Sequence, residues 1–336
     1  MLFCGGTAIA AGMRKLELIS LLVGVVFFVV LLNGIGWSLI LHQLVDVGWT
    51  FLLVLLVSTG RYLARTQAWR YAFAGHHELP SFGEMFRARL AGQTLGYLTF
   101  AGPLLSEPVK AGLLRSQVPF RVGLGGAVLE TGAYTITSSF VLIAGLALAV
   151  VRLEPAAQNR LAAVVVIVLF LVMWLGGRWI LQRRVRVLAG SLNLLAHAGW
   201  RGWVERRREK LENSEQQLLN FYAENTRRFR LMFLWELVSQ LFALLEIYII
   251  LVAMGVPVGW MEVVIIEAFS KGLTTAFFFV PGRVGTDEGG LAALFKLMKL
   301  GVEHGASLAL VQRLRGIFWA ALGLALLGRY AVRRRG

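Results

Sequence analysis

Six apolar runs of about 20 residues divide this sequence, and a helix of that length spans the ~30 Å hydrocarbon core of a bilayer. The runs cover residues 17–39, 49–72, 123–150, 161–181, 229–254 and 304–328. Only 16% of the 336 residues are charged and the mean hydropathy is +0.68. The pattern predicts an all-α polytopic membrane protein with about six full transmembrane helices in a single transmembrane domain over residues 1–336.

Two further apolar segments, 86–118 and 262–300, are interrupted by proline and glycine and then by an acid. We interpret each as a re-entrant helical hairpin. Their second arms, predicted over 108–117 and 288–300, would be helices of about 15–20 Å, too short to cross. Ser106 and Thr286 each precede an acid, a pattern typical of a helix N-cap.

The two halves of the chain resemble each other, because each runs span, hairpin, span. We predict an inverted repeat with unit one at about 49–150 and unit two at about 229–328. Inverted repeats with interrupted helices are typical of secondary transporters. Between the units, residues 182–228 are predicted to form an amphipathic cytoplasmic helix at the anionic leaflet or, alternatively, a charged connector that fixes topology.

The basic residues predict the orientation of the chain and argue against nucleic acid as a partner. The net charge is +15. In the predicted topology, 26 Lys and Arg residues lie on the side of the membrane that holds the N-terminus, and 6 lie on the opposite side. Because positive loops are cytoplasmic, both termini are expected in the cytoplasm.

Charged residues inside predicted spans are costly, and they therefore tend to face partners or water-filled cavities. The candidates are Arg61, Arg65, Glu107, Glu130, Glu236, Glu246, Glu267, Lys271, Arg283, Asp287, Glu288, Arg313 and Arg315.

Spacing suggests partners for some of these charges. Glu267 and Lys271 are four residues apart and can form a pair on one helix. Arg61 and Arg65 repel each other at the same spacing, so they require an anion, either a carboxylate or a phosphate.

The positions of other charges within the two units suggest further roles. Glu130 and Arg313 occupy related positions with opposite sign, and we predict a salt bridge between them. Glu107, Asp287 and Glu288 either cap short helices or carry protons and pair with arginines.

Enzymatic motifs were not found, and no enzyme activity, cofactor or metal is expected. The sequence has a single cysteine, Cys4, and contains no G-x-S-x-G, H-E-x-x-H or phosphate-binding loop. Paired acids leave an intramembrane lipid-modifying enzyme open as a minor alternative.

Three stretches resemble the membrane domain of lysylphosphatidylglycerol synthases and their stand-alone, flippase-like relatives. They are "RYLARTQAWR", "GPLLSEPVKAGLLR" and "VPGRVGTDEGGLAALFKLMKLGVEHGASLALVQRLRGIFWAALGLALL". The resemblance runs from about residue 14 to 332. By position it implicates Pro103, Glu107, Lys110, Pro281, Gly282, Gly285, Glu288, Gly301 and Arg313.

The sequence departs from the family pattern in both motifs. Ser106 stands where a glycine usually precedes the acid, and Lys110 stands where an arginine is usual. Lysine keeps the charge but loses the planar fork that binds phosphate with two hydrogen bonds. Arg283 adds a cation where a small residue is usual.

The resemblance implies movement of a lipid with an anionic headgroup between leaflets of a bacterial cytoplasmic membrane. Arg61, Arg65, Arg283 and Arg313 would then be phosphate counter-charges. Because the sequence ends at Gly336, we expect no soluble transferase domain. The alternative is a non-transporting partner of an envelope biosynthesis complex; membrane lipids are the expected partners, and a homodimer is left open.

Overall fold

The computed structural model describes residues 48–73, 79–98, 102–152, 225–277, 283 and 285–333. The predicted spans 17–39 and 161–181, most of the connector 182–228, and Pro281 and Gly282 lie outside these residues.

The described residues are entirely helical apart from turns and short connections. The helices are α1 (Thr50–Tyr71), α2 (Phe82–Leu98), α3 (Gly102–Leu113), α4 (Phe120–Arg152), α5 (Thr226–Ala253), α6 (Trp260–Ala276), α7 (Thr286–Leu297) and α8 (Val302–Arg333).

The helices confirm the all-α membrane class that the sequence predicted. α1, α4, α5 and α8 coincide with four of the predicted spans, to within a few residues. By length and composition, three of the described helices could cross a membrane, namely Phe120–Val150, Thr226–Ala253 and Val302–Gly328. The number of spans remains a prediction.

Each interrupted segment forms two packed helices. α2 packs on α3, and α6 packs on α7. α3 and α7 contain 12 residues each, which is about 18 Å at 1.5 Å per residue and well short of a hydrocarbon core.

The predicted start of α3 was wrong. Ser106 and Glu107 were expected to cap a helix beginning at Pro108, but α3 already begins at Gly102 and contains Pro108 in its interior. The reason is Pro103, because a proline fits the first turn of a helix, where its missing N–H has no helical partner anyway.

The acids predicted at the start of the second short helix are confirmed. Asp287 and Glu288 lie in the first turn of α7. The N-cap is Gly285, one residue earlier than expected, and its N–H donates to Glu288 Oε2 at 2.9 Å. Gly285 has a φ of +83° and Gly301, between α7 and α8, has a φ of +88°. Both turns therefore favour glycine.

The helix contacts correspond between two sets of four helices, in which α1 matches α5, α2 matches α6, α3 matches α7 and α4 matches α8. α1 packs on α5. α4 packs on α6 as α8 packs on α2, and α3 packs on α4 as α7 packs on α8. The apolar cores match this pattern: one is built mostly from α1 to α4 and includes Met232 of α5, and the other is built mostly from α5 to α8 and includes Val54 of α1.

Glycines mark the closest helix contacts at matching places in the two sets of four helices. A Cβ on Gly145 of α4 would lie 2.1 Å from Ala268 Cβ of α6, and one on Gly323 of α8 would lie 1.9 Å from Thr94 Oγ1 of α2. Small residues of this kind allow the backbones of membrane helices to approach closely.

A Gly145→Ala substitution is expected to lower the free energy of unfolding by about 1–3 kcal/mol, because the added methyl group cannot fit between α4 and α6. The matched control is Gly132→Ala on the same helix, where a Cβ would meet nothing within 4 Å. Unfolding in detergent micelles measures both. Equal stability of the two variants would contradict the tight α4–α6 contact.

The N-termini of α2 and α6 are also alike. The side chain of Glu84 accepts the N–H of Ser81 at 3.1 Å, and that of Glu262 accepts the N–H of Gly259 at 3.0 Å. The hydrogen bond from Ser81 Oγ holds the pKa of Glu84 below its usual range. In both cases a glutamate three residues after the N-cap fixes the start of the helix.

Candidate functional site

A cavity of about 420 Å³ lies among α1, α2, α3, α4, α7 and α8. It is unusually polar for the interior of an apolar helix bundle. Six basic side chains line it, Arg61, Arg65, Lys110, Arg283, Arg313 and Arg315, but only two acidic ones, Glu107 and Asp287. Its wall therefore carries an excess of positive charge, which is offset by acids behind it.

Glu130 is the centre of the first group of ion pairs, next to the cavity. Its Oε1 accepts from Arg65 Nη2 at 2.7 Å and from Arg89 Nη1 at 3.1 Å. Its Oε2 lies 4.0 Å from Lys110 Nζ. Glu130 is fully buried, and it joins four helices because α1, α2 and α3 each bring one cation to this residue of α4.

Two further contacts hold the same group. Lys110 Nζ lies 2.8 Å from Glu107 Oε1, one turn earlier on α3. The guanidinium of Arg65 stacks on the ring of Tyr134, 3.8 Å from its centroid. Arg65 thus has a carboxylate partner and an aromatic partner. Of the two anions that the sequence allowed for Arg65, a carboxylate or a phosphate, the structure shows the carboxylate.

A second group of pairs surrounds the turn before α7. Arg313 Nη2 lies 2.5 Å from Glu288 Oε1 and donates to the carbonyl oxygen of Arg283 at 3.1 Å. Arg283 Nε lies 3.0 Å from Asp287 Oδ2. Arg313 therefore holds the interruption between α6 and α7 to α8.

The predicted salt bridge between Glu130 and Arg313 is wrong. Each residue is paired within its own set of four helices, Glu130 with Arg65 and Arg313 with Glu288. The physical reason is the packing pattern, in which α4 packs on α3 and α6, whereas α8 packs on α7 and α2. A pair of reversed sign is found at Arg315 instead of Arg313, because Arg315 of α8 pairs with Glu246 of α5 as Glu130 of α4 pairs with Arg65 of α1.

The predicted pair of Glu267 and Lys271 on α6 is confirmed, with Nζ 2.8 Å from Oε1.

Arg61 differs from the other cations that line the cavity. In the part of the chain that the structure describes, its guanidinium forms no ion pair with a carboxylate. Its Nη2 donates to Tyr134 Oη at 3.1 Å. The other five lining cations all have a carboxylate partner. Of the four arginines expected to neutralise a phosphate, Arg61 is therefore the one without a carboxylate partner among the described residues.

The cavity wall also contains buried polar atoms that have no hydrogen-bond partner within the described ranges of the chain. They are Gln93 Oε1, Glu107 Oε2 and Thr131 Oγ1. A buried acceptor without a donor is unfavourable by about 1–3 kcal/mol. These three atoms are therefore places where water or a polar headgroup would bind.

Sequence reasoning missed Arg89 as a member of the site. It was not among the candidate charges, yet it is fully buried and donates to both Glu130 and the carbonyl oxygen of Arg65. Arg61, Arg65, Arg89 and Lys110 all lie on helices at the cavity or beside Glu130 rather than in a loop. Four of the eight basic residues in 61–121 therefore carry no information about orientation.

The polar and aromatic partners of the site were also missed, among them Tyr97, Tyr134 and Trp319. Trp319 Nε1 of α8 donates to Ser58 Oγ of α1 at 2.9 Å, and its ring packs on Tyr62 at 4.7 Å between centroids. Aromatic residues are common in membrane spans, so nothing in the sequence separates these from ones that face lipid.

Comparison with known proteins gives one match. The model of the family described as lysylphosphatidylglycerol synthase TM region matches residues 18–324. Neither the curated proteins nor the solved structures contain a significant match.

Proposed function

The chain belongs to the lysylphosphatidylglycerol synthase TM region family, and from this membership and the cavity we propose that it moves a phospholipid with an anionic headgroup between the leaflets of a bacterial cytoplasmic membrane. The acyl chains would remain in the bilayer while the headgroup passes through the polar cavity.

The observation that carries the proposal is Arg61, a cation with no carboxylate partner in the described residues, in a cavity of about 420 Å³. A guanidinium held in a low-dielectric site attracts a phosphate strongly and can bind two of its oxygens. The unpartnered atoms of Gln93, Glu107 and Thr131 would accept hydrogen bonds from headgroup hydroxyls or from water.

The helix arrangement supports transport rather than a purely structural role. The corresponding helix contacts of α1–α4 and α5–α8, together with the matching glycine contacts, support an inverted repeat. The short helices α3 and α7 support re-entrant hairpins. In transporters built this way, the binding site lies where the interrupted helices of the two repeats meet. Here the cavity is lined both by α3 and by the start of α7.

The outer surface supports contact with lipid along α1 and α5. Large apolar side chains are exposed on α1, with Leu52 at 55% and Leu56 at 67%, and on α5, with Leu241 at 63%. Exposed apolar surface on a membrane helix is compatible with acyl chains at the cavity edge.

The test is a translocation assay with the purified full-length protein in vesicles that contain fluorescent phosphatidylglycerol. An impermeant quencher reaches only outer-leaflet lipid in vesicles without protein. We expect the protein to make the inner-leaflet probe accessible as well, since headgroup passage no longer requires exposure to the hydrocarbon core.

The same assay can contradict the proposal. The inner-leaflet probe could stay as protected in vesicles with folded protein as in empty vesicles. That result would favour the alternative, a non-transporting partner in envelope biosynthesis. Chromatography of the lipids after incubation separates transport from headgroup modification, which would indicate an enzyme.

A further inference from the structure

Behind the cavity wall, two buried glutamates share one arginine. Glu130 of α4 and Glu236 of α5 are both fully buried. Both carboxyl groups contact the guanidinium of Arg65, whose Nε lies 3.0 Å from Glu130 Oε1 and 3.6 Å from Glu236 Oε2. Two ionised carboxylates that share one cation at this range repel each other, whereas a proton on one of them removes the repulsion.

The partners of the two acids are unequal. Glu130 Oε1 accepts three hydrogen bonds, two from Arg65 and one from Arg89. In the described residues, Glu236 is paired with Arg65 alone, whose Nε lies 3.6 Å from its Oε2, beyond hydrogen-bond distance. Glu130 is thus stabilised as the carboxylate, whereas Glu236 has no strong ionic partner in that part of the chain.

Hydrogen bonding around Glu236 also calls for a proton. Ser239 Oγ donates to the carbonyl oxygen of Glu236 at 2.8 Å, which uses its one hydroxyl proton, yet it also lies 3.2 Å from Glu236 Oε2. Both Glu236 Oε1 and Glu130 Oε2 are buried and have no donor among the residues that the structure describes. A proton on Glu236 would supply a donor that this group lacks, and it would remove the cost of an unpaired buried charge.

The charged groups that face this pair come from three helices. They are Arg65 of α1, Arg89 of α2 and, at 4.0 Å from Glu130, Lys110 of α3. The nearest basic side chains of α6 and α8 form ion pairs with other acids. Arg315 is held by Glu246, ten residues along α5 from Glu236 and so about 15 Å away, and Lys271 is held by Glu267.

We propose that Glu130 and Glu236 form a proton-binding acid pair, and that release of its proton to solvent moves Arg65 from Glu130 toward Glu236. Because Arg65 also lines the cavity and stacks on Tyr134, which holds Arg61, the proton controls the cations at the headgroup site. This coupling rests on the proposed lipid transport, whereas the proton site does not.

The proton site is tested without lipid transport, by infrared difference spectroscopy of the purified full-length protein in phosphatidylglycerol vesicles. A protonated carboxyl group has a carbonyl stretch that a carboxylate lacks. We expect this signal in the wild type at neutral pH, its loss in Glu236→Gln, and its retention in Glu303→Gln, because Glu303 is an exposed residue at the start of α8.

An undiminished signal in folded Glu236→Gln, or no such signal in the wild type, overturns the proton site. Glutamine has the shape of the neutral acid, so this variant is expected to fold. If it does not, Glu236→Asp provides the assignment, because an aspartic acid at this position shifts the frequency of the signal. An unshifted signal there overturns the site equally.

The coupling is tested in the same vesicles by imposing a proton gradient. We expect the gradient to change the rate of phosphatidylglycerol translocation in the wild type and to leave the rate of Glu236→Gln unchanged. A wild-type rate that ignores the gradient overturns the coupling. Absence of translocation under every condition would instead contradict the proposed function, while the infrared result still decides the proton site.

Discussion

Replacing Glu130 with alanine is expected to lower the free energy of unfolding by about 3–5 kcal/mol, the cost of removing one partner from a buried ion pair. Arg65, Arg89 and Lys110 come from three different helices and share this carboxylate. Arg89 is fully buried and Lys110 is 1% exposed. Without Glu130, neither can regain water, and their mutual repulsion would separate α1, α2 and α3.

Unfolding in detergent micelles, followed by circular dichroism, measures the effect. The control is Glu303→Ala, because the side chain of Glu303 is 73% exposed and exposed charges contribute little to stability. If Glu130→Ala were as stable as this control, Glu130 would not be the residue that joins the four helices.

Local sequence signals predicted the helices well. α4 and α5 lie close to the predicted spans 123–150 and 229–254, because a long apolar run without Pro has no other structure available in a bilayer. The interruptions between α2 and α3 and between α6 and α7 were also predicted. The start of α3 was wrong because Pro103 and Pro108 offered two helix starts, and the sequence alone does not distinguish between them.

The partners of the charged residues were predicted only where they are local. The pair of Glu267 and Lys271 follows from helix geometry alone. Glu130 and Arg65 are 65 residues apart, so their contact depends on how α1 and α4 pack. Arg89 was missed for the same reason, since burial of an arginine is a property of the assembled helices.

The inverted repeat stays a prediction, which was inferred from two similar interrupted segments. The helix contacts of the two sets of four helices nevertheless match at places that the sequence did not indicate. Gly123 approaches α3 as Gly305 approaches α7. The comparison of charges across the repeat predicted the wrong bridge, because equivalent residues in such a repeat occupy equivalent positions rather than facing each other.

The central claim is that the cavity accepts an anionic headgroup, and Arg61 is the residue on which that claim depends most. The other cations of the cavity wall already have carboxylate partners, so an incoming phosphate would have to displace a carboxylate from them. Within the described part of the chain, Arg61 donates to Tyr134 Oη and pairs with no carboxylate. A hydrogen bond to a charged group contributes about 1.5–3 kcal/mol, so Arg61→Ala should slow translocation by about tenfold to a hundredfold.

Because Arg61 forms no ion pair with a carboxylate among the described residues, this variant should remain folded. Arg61→Lys should retain part of the activity, since lysine keeps the charge without the fork. The control is Arg87→Ala on α2, where the arginine is exposed and outside the cavity.

The most direct measurement compares wild type, Arg61→Ala and Arg87→Ala in vesicles that carry either fluorescent phosphatidylglycerol or an uncharged fluorescent glycolipid. We predict that Arg61→Ala slows phosphatidylglycerol translocation and leaves any movement of the glycolipid unchanged, while Arg87→Ala affects neither. Wild-type rates for phosphatidylglycerol in folded Arg61→Ala would contradict the account.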